Sequence, residues 1–356
     1  MNPSEIALRR LISQQIDQAA FRAPADLVRY MGIIQAQDYP MSQWAVGLRL
    51  SGPARVQDVQ EAIDRGDIIR THVLRPTWHL VSREDVHWMT ALSAKRILAS
   101  FRSRHRELGL SEEVIKKSNR LIEQELSRRG HLLREALVAV LENAGLPNEN
   151  NRASHLLMCA ELDGIICSGA AQNGKQTYAF LAERVPDRRL LQREEALFTL
   201  AERYFVSHGP ASIRDFVWWS GLSAKDAREA LELVRGKLEE VSVNGETYWF
   251  KDSGPYRIAQ RVHLLPAYDE FIISYVDRSA TLTDAHAKRT IMANGLFRPM
   301  VVVDGRVAGT WKRSVKKTGV GMEIILFHDL DPAQVAAIEQ QGERFGAFLG
   351  KRVTFF

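Results

Sequence analysis

Cysteine is scarce in this chain of 356 residues, and its two cysteines, Cys159 and Cys167, lie in apolar stretches without a Cys-x-x-Cys spacing. This excludes a disulfide scaffold and an iron–sulfur cluster, and it is typical of reduced core thiols in an intracellular protein. The ten histidines show no metal-ligand spacing, and no glycine-rich phosphate loop occurs. We therefore expect no metal, no other cofactor and no thiol nucleophile.

Long apolar runs are absent too. No segment approaches the ~20 apolar residues that a membrane-spanning helix needs, and the first ten residues begin a helix instead of an apolar signal region. We expect a soluble, cytoplasmic, nucleoid-associated protein without a membrane partner. The charge balance is only mildly basic, with 48 basic and 43 acidic residues and a net charge of +5. Such a balance is compatible with a nucleic-acid partner but does not require one.

One order of elements, three helices followed by a two-stranded hairpin, recurs three times along the chain. The three segments run over 4–82, 112–184 and 193–251. This order is typical of the winged helix, a relative of the helix-turn-helix that docks on DNA. We predict an α+β protein with three tandem winged-helix units and a small β-rich C-terminal domain. The predicted domains are 1–82 for the first unit, 83–190 for a long helix and the second unit, 191–255 for the third unit, and 256–356 for the C-terminal domain.

Several of these elements have definite predicted bounds. Helical spacing and strand patterns predict helices over 25–34 and 56–65 and strands over 68–73 and 77–81. The long helix should begin near Ser82, where Ser82 and Asp85 have nearly the spacing of a capping box. In the C-terminal domain, the pattern predicts a strand-like segment with a central turn over 262–278, a hairpin over 299–311, a strand over 320–327 and a helix over 332–349.

Gln35 and Gln37 stand out because they are two amides, separated by one small residue, in an otherwise apolar stretch. Buried amides are costly unless they find hydrogen-bond partners. They could simply cap or brace a helix end. Their surroundings favour a functional role.

Gln-x-Gln occurs here together with tandem winged helices and five further segments. These segments are Arg75-Pro-Thr-Trp-His-Leu80, Ser207-His-Gly-Pro-Ala211, Asp215-Phe-Val-Trp-Trp-Ser-Gly-Leu222, Leu265-Pro-Ala-Tyr-Asp-Glu-Phe271 and Val303-Asp-Gly-Arg-Val-Ala-Gly-Thr-Trp311. Over nearly its whole length the chain resembles a bacterial family of winged-helix DNA glycosylases. Members of that family excise alkylated purines, and some unhook interstrand crosslinks made by azinomycin-type natural products.

The family divides into a Gln-x-Asp branch and a Gln-x-Gln branch, and this chain is similar to the second, which includes azinomycin self-resistance glycosylases. The resemblance implies three winged helices in a C-shaped arrangement around DNA, with Gln35 and Gln37 at its concave centre. It also implies a monomer that acts on double-stranded DNA containing alkylated or crosslinked purines.

Two amides can support such a reaction. A glutamine cannot take a proton at useful pH, but it can accept a hydrogen bond from water and orient it. An N7-alkylated guanine carries a positive charge and leaves without protonation, so positioning and electrostatics can supply much of the rate. We predict that Gln37 holds the attacking water and that Gln35 places the water or the sugar. A bifunctional glycosylase would need a reactive lysine or N-terminal amine, and the sequence indicates neither, so we predict monofunctional hydrolysis. Asp38 is the rival candidate for the catalytic base.

DNA contacts are predicted for Arg75 and His79 at the first hairpin. A cation beside a rigid turn suits the minor groove near a lesion, although Arg75 could be solvated and His79 hydrogen-bonded within the protein. Lys312 and Arg313 open a basic run up to Lys317, which could contact phosphates.

Tyr39 and Trp44 flank the amides and could line a lesion pocket, with core packing as the alternative. For the carboxylates Asp269, Glu270 and Asp277, turn capping and domain packing are favoured over catalysis. The rival function for the whole chain is a non-enzymatic winged-helix DNA-binding protein, such as a regulator. A regulator would bind a preferred DNA sequence and would usually form a dimer.

Overall fold

The computed structural model describes residues 1–252, 254 and 257–356. The chain is mixed α+β, as predicted. It forms two compact units, of which the first comprises 1–60 and 197–356 and the second 61–196. The predicted boundary between 255 and 256 lies outside the described residues, and the division into four domains stays a prediction.

The N-terminal elements differ from the predicted ones around the two amides. They are α1 (Pro3–Ser13), α2 (Pro24–Met31), β1 (Ile33–Gln35), α3 (Tyr39–Gly47) and α4 (Val56–Arg65). The helix predicted over 25–34 ends at Met31 because Gly32 adopts a φ of 79°. A Cβ atom at Gly32 would lie 3.2 Å from the Trp219 ring, so space as well as backbone conformation favours glycine there. Neither β1 nor α3 is predicted from the sequence.

The second unit is built around a hairpin and a small three-stranded sheet. Its elements are β2 (Ile68–His72), β3 (Trp78–Ser82), α5 (Val86–Ser100), α6 (Arg102–Glu107), α7 (Glu112–Arg129), β4 (Leu132–Leu133), α8 (Arg134–Asn143), α9 (Arg152–Leu162), β5 (Ile166–Ser168), β6 (Thr177–Phe180) and α10 (Leu181–Arg184). The predicted hairpin is confirmed by antiparallel pairing of β2 with β3. The long helix does not start at a capping box, because the Ser82 hydroxyl bonds to the Asp85 carboxylate and no side chain caps α5.

The third segment follows the sequence pattern closely. It comprises α11 (Arg193–His208), α12 (Ile213–Ser220), α13 (Ala224–Val234), β7 (Glu239–Val243) and β8 (Glu246–Phe250). Ser212 and Asp215 form a capping box at the start of α12, with nitrogen-to-oxygen distances of 3.2 and 3.0 Å. Asn244 and Gly245 both have positive φ, as a two-residue turn between twisted strands requires.

The C-terminal part is a five-stranded sheet covered by one helix. Its elements are β9 (Val262–Leu265), α14 (Glu270–Ile273), α15 (Asp284–Thr290), β10 (Met300–Val303), β11 (Arg306–Val315), β12 (Val320–Leu326), α16 (Pro332–Leu349) and β13 (Val353–Phe355). The strand order is β13-β12-β11-β10-β9. Phe345 of α16 packs its ring 5.1 Å from Trp311 and 5.2 Å from Trp44. The predictions over 299–311, 320–327 and 332–349 are confirmed.

The strand-like prediction over 262–278 is wrong beyond Leu265. Asp269 accepts a hydrogen bond from the Phe271 N–H at 2.9 Å and thereby starts the short helix α14. Two further elements, α15 and β13, are not predicted. No helix of the described part of the chain is both long and apolar enough to cross a membrane.

Both cysteines are buried free thiols. Burial raises the pKa of Cys159 and of Cys167 to about 12. A thiol with such a pKa carries almost no thiolate at neutral pH, as is typical of buried structural cysteines.

Candidate active site

The Gln-x-Gln segment lies between the end of β1 and the start of α3. Ile33, Ile34 and Ala36 are fully buried, Gln35 is half-buried and Gln37 is exposed. The amides therefore leave the core at a strand end and do not cap a helix. The helix-end role belongs to Asp38, whose side chain accepts the Met41 N–H at 3.1 Å as the N-cap of α3.

A buried carboxylate holds the backbone of Gln35. Its N–H donates to Glu270 Oε1 at 2.8 Å, and Glu270 is 1% exposed. The side-chain Oε1 of Gln35 is itself buried and has no hydrogen-bond partner among the described residues. A buried acceptor of this kind is an uncommon feature in a folded protein, and it can accept a hydrogen bond from water or a substrate group.

Glu270 belongs to a buried polar network that also includes Ser274 and His208. Its second oxygen, Oε2, accepts the Ser274 hydroxyl and lies 3.8 Å from His208 Nε2. Burial lowers the pKa of His208, so this imidazole is neutral at pH 7.

The neighbouring carboxylate, Asp269, is fixed as well. It pairs with the buried Arg49 through two hydrogen bonds of 2.7 and 2.9 Å. These contacts agree with the structural role favoured for Asp269. The bond from the Gln35 N–H to Glu270 shows that Glu270 reaches the amide segment, which the sequence pattern does not reveal.

Arg313, one of the predicted DNA-binding residues, lies beside the amide segment. Its Nη2 lies 3.7 Å from Asp38 Oδ1, directly after Gln37 in sequence. Burial lowers the pKa of Arg313 and Asp38 opposes that shift, but an arginine stays charged at neutral pH. Lys312 precedes it on β11, where side chains alternate between faces, and pairs with Glu323 at 3.2 Å.

The two aromatic residues predicted for a lesion pocket lie in different surroundings. Tyr39 is half-buried and donates its hydroxyl to Gln60 Oε1 at 2.8 Å. Trp44 is 2% exposed and donates its indole N–H to the Leu264 carbonyl at 2.9 Å. The environment of Trp44 is that of the core-packing alternative. A pocket-lining role for Tyr39 stays a prediction.

Arg75 and His79 belong to the second unit, where they are part of the β2–β3 hairpin. Arg75 is half-buried in the turn, beside Leu74 with a φ of 60°. His79 is fully buried on β3. Their contact with DNA stays a prediction.

Tyr268 is a residue near the amides that the sequence pattern does not single out. It adopts a φ of 57°, which is uncommon for an aromatic residue, and it precedes Asp269 and Glu270. Burial raises the pKa of its phenol, and the nearby charge of Asp38 raises it further.

No group of three or more His, Cys, Asp or Glu side chains within the described ranges could hold a metal ion. The polar groups around Gln35 and Gln37 are amides, one half-buried guanidinium and carboxylates that are engaged in hydrogen bonds. This arrangement can orient a water molecule and stabilise charge without transferring a proton to a strong base.

Comparison with known proteins decides the family. The family model for AlkZ-like DNA glycosylases matches residues 28–348 of the chain. The chain belongs to this family. The resemblance stated from Gln-x-Gln and the five further segments is thereby confirmed.

Two further comparisons, both with Streptomyces sahachiroi sequences, show what the chain is similar to. An interstrand DNA cross-link repair glycosylase of Streptomyces sahachiroi is 23% identical over 351 residues, covering 93% of this chain and 92% of the relative. The solved structure of the Streptomyces sahachiroi DNA glycosylase AlkZ matches with a TM-score of 0.81, 20% identity and full coverage of both chains. Two chains this different in sequence still share the α+β fold of the family.

Proposed function

We propose that this AlkZ-like protein is a monofunctional DNA glycosylase that hydrolyses the N-glycosidic bond of N7-alkylated purines in double-stranded DNA. Gln37 holds the attacking water and Gln35 places the water or the sugar. The observation that carries this proposal is the position of the two amides. They leave the core together at a strand end whose backbone is tied to a buried carboxylate.

The chemistry requires no strong base. The oxygen of the water forms a bond to C1′ while the C1′–N9 bond breaks, and the electron pair of that bond neutralises the positive charge of the alkylated purine. The purine leaves as a neutral molecule, and the extra proton on the new hydroxyl passes to solvent. An amide oxygen that accepts a hydrogen bond from the water orients it for attack, which is a contribution of position and not of basicity.

The order of elements supports docking on DNA. Three helices followed by a hairpin occur in the second segment as α7, α8, α9 and β5–β6, and in the third as α11, α12, α13 and β7–β8. We propose that these segments, together with the first, are winged helices that place a monomer on the duplex. Arg313 beside Asp38 then supplies positive charge next to the reacting nucleotide.

Interstrand crosslinks are included in the proposed substrates. The Streptomyces sahachiroi relative is named for repair of such crosslinks. When two purines are joined through alkylated nitrogens, hydrolysis of one N-glycosidic bond unhooks the strands by the reaction described above. The solvent exposure of Gln37 leaves that side of the site open to a bulky adduct.

The test is incubation of the protein with a duplex that carries one N7-methylguanine. Released base is followed by chromatography, and a sample without protein corrects for spontaneous loss. We expect release of N7-methylguanine while the DNA strand stays intact until alkaline heating cleaves the abasic site. Binding to the duplex without release from this substrate or from a crosslinked purine would contradict the proposal and favour the regulator.

A further inference from the structure

A row of aromatic and cationic side chains leads away from the Gln-x-Gln segment. Tyr268 is the first member, and its ring centroid lies 6.0 Å from that of Phe297. The guanidinium carbon of Arg278 lies 5.5 Å from the centroid of Phe297 and 5.9 Å from that of Trp218. We call Tyr268, Phe297, Arg278 and Trp218 the aromatic row.

Trp218 is the most exposed member of the row, with 47% of its surface accessible. Its indole N–H donates to the Ile273 carbonyl at 2.8 Å, so its polar group is satisfied and its orientation is fixed. An exposed, oriented indole is not explained by packing of the core, since tryptophan normally buries its large apolar surface.

The short helix α14 connects the row to the amides. Its first residue, Glu270, binds the Gln35 N–H, while its carbonyls at Ile272 and Ile273 accept from Arg278 at 3.0 Å and from Trp218 at 2.8 Å. One buried element therefore sets the position of both the reacting segment and the row.

Tyr268 is held at the end of the row that lies beside the amides. Its left-handed backbone directly precedes Asp269, which the buried Arg49 holds with two hydrogen bonds. Backbone conformations of this kind persist where the surroundings fix them, and they concentrate at functional sites.

We propose that the aromatic row is a nucleobase-binding surface, on which Tyr268 contacts the alkylated purine and Trp218 contacts a base of the same DNA region. This inference rests on the proposed function. Nucleobases fit the row because aromatic faces and guanidinium planes stack on them. A purine with a positive charge is attracted to the face of an aromatic ring, and Asp38 adds negative charge nearby.

The test is a binding measurement that does not depend on catalysis. The full-length protein is titrated into a labelled duplex carrying 2′-fluoro-N7-methylguanine, whose glycosidic bond resists hydrolysis, and anisotropy gives Kd. Trp218→Ala and Tyr268→Asn remove the two outer members of the row. Asparagine is chosen at 268 because it tolerates a left-handed backbone. Tyr268→Phe keeps the ring, and Phe356→Ala removes an exposed aromatic residue outside the row.

We expect Trp218→Ala and Tyr268→Asn each to raise Kd by about tenfold, the effect of losing one stacked base. Tyr268→Phe and Phe356→Ala should stay within about twofold of the wild type, in keeping with the small effects of changes that leave the stacking ring in place. Duplex binding should also quench tryptophan fluorescence in the wild type, and less so in Trp218→Phe.

Wild-type Kd values for both Trp218→Ala and Tyr268→Asn, with unchanged quenching in Trp218→Phe, would overturn the inference. Excision of N7-methylguanine by the wild type, measured in parallel, separates the two proposals. If the wild type excises the base and the row variants bind normally, only the inference fails. If the wild type excises neither N7-methylguanine nor a crosslinked purine and the row variants still bind more weakly, the proposed function fails and the row remains a DNA-binding surface.

Discussion

The backbone N–H of Gln35 donates to the buried carboxylate of Glu270 at 2.8 Å, although the two residues are 235 positions apart in sequence. This bond fixes the end of β1, from which both amides extend. We propose that it makes Glu270 a positioning residue for the Gln-x-Gln segment. Because Glu270 is almost fully buried, it acts on the site through Gln35 and not by contact with DNA.

Substitution of Glu270 should separate the loss of this acceptor from the loss of charge. Glu270→Gln keeps a carbonyl oxygen that can accept the Gln35 N–H, whereas Glu270→Ala leaves that donor unsatisfied. An unsatisfied buried group costs about 1–3 kcal/mol. We expect single-turnover excision by Glu270→Ala to fall at least about tenfold, as misplaced reacting groups lose rate steeply. Glu270→Gln should recover most of the rate.

Thermal unfolding of both variants is the control for that experiment. If Glu270→Ala excised N7-methylguanine at the wild-type rate, or if Glu270→Gln were as slow as Glu270→Ala at equal folded fraction, the positioning role would be wrong.

Arg313 should contribute to duplex binding through its charge. Arg313→Ala removes the cation beside Asp38, whereas Arg313→Lys keeps it. For one phosphate contact, we expect Arg313→Ala to weaken binding to undamaged and damaged duplex alike and to reduce the slope of log K against log salt by about one. Anisotropy titrations at several salt concentrations measure that slope. An unchanged slope in Arg313→Ala would show that this guanidinium serves only the ion pair with Asp38.

His263 should make the fold sensitive to acid. Burial lowers its pKa from 6.5 to about 4, and its Nε2–H donates to the Gln260 carbonyl at 3.0 Å. Well above pH 6.5 the imidazole is neutral in both states. As the pH falls from 6.5 towards 4, the unfolded chain takes up a proton that the folded chain does not, so the free energy of unfolding falls, by about 3 kcal/mol for this group.

Urea unfolding at pH 7, 5.5 and 4.5 measures this dependence. In His263→Gln the side chain does not titrate, so the decline of the unfolding free energy over this range should be smaller than in the wild type. Equal declines in both proteins would contradict the assignment to His263.

The sequence predicts best those elements whose signals are local. The start of α12 depends on Ser212 and Asp215, three residues apart, and the β7–β8 turn depends on the adjacent pair Asn244-Gly245. Both signals act within one turn of backbone, so no distant residue is needed to interpret them.

The region around the amides is predicted less well because its determinants are distant. Ile33 and Ile34 continue the apolar pattern of α2, and a short apolar run does not distinguish a strand from a helix. Two tertiary contacts end the helix and place the strand: the close packing of Gly32 on the Trp219 ring and the hydrogen bond from the Gln35 N–H to Glu270.

The sequence itself shows the two amides, Gln35 and Gln37. Their predicted role of positioning water follows from amide chemistry and from the family resemblance. The positions of Arg313 and Tyr268 near them are properties of the folded chain. β11 and the segment before α14 reach Asp38 only through the tertiary structure.

The most direct measurement is single-turnover excision from a duplex bearing one N7-methylguanine by the wild type and by Gln37→Ala. Gln340→Ala, which removes an exposed amide on α16, is the matched control. If Gln37 holds the water, the rate of Gln37→Ala should fall by about 100-fold while its affinity for the duplex stays the same. Wild-type excision by Gln37→Ala would contradict the assignment of Gln37, and with it the central claim that an amide positions the water.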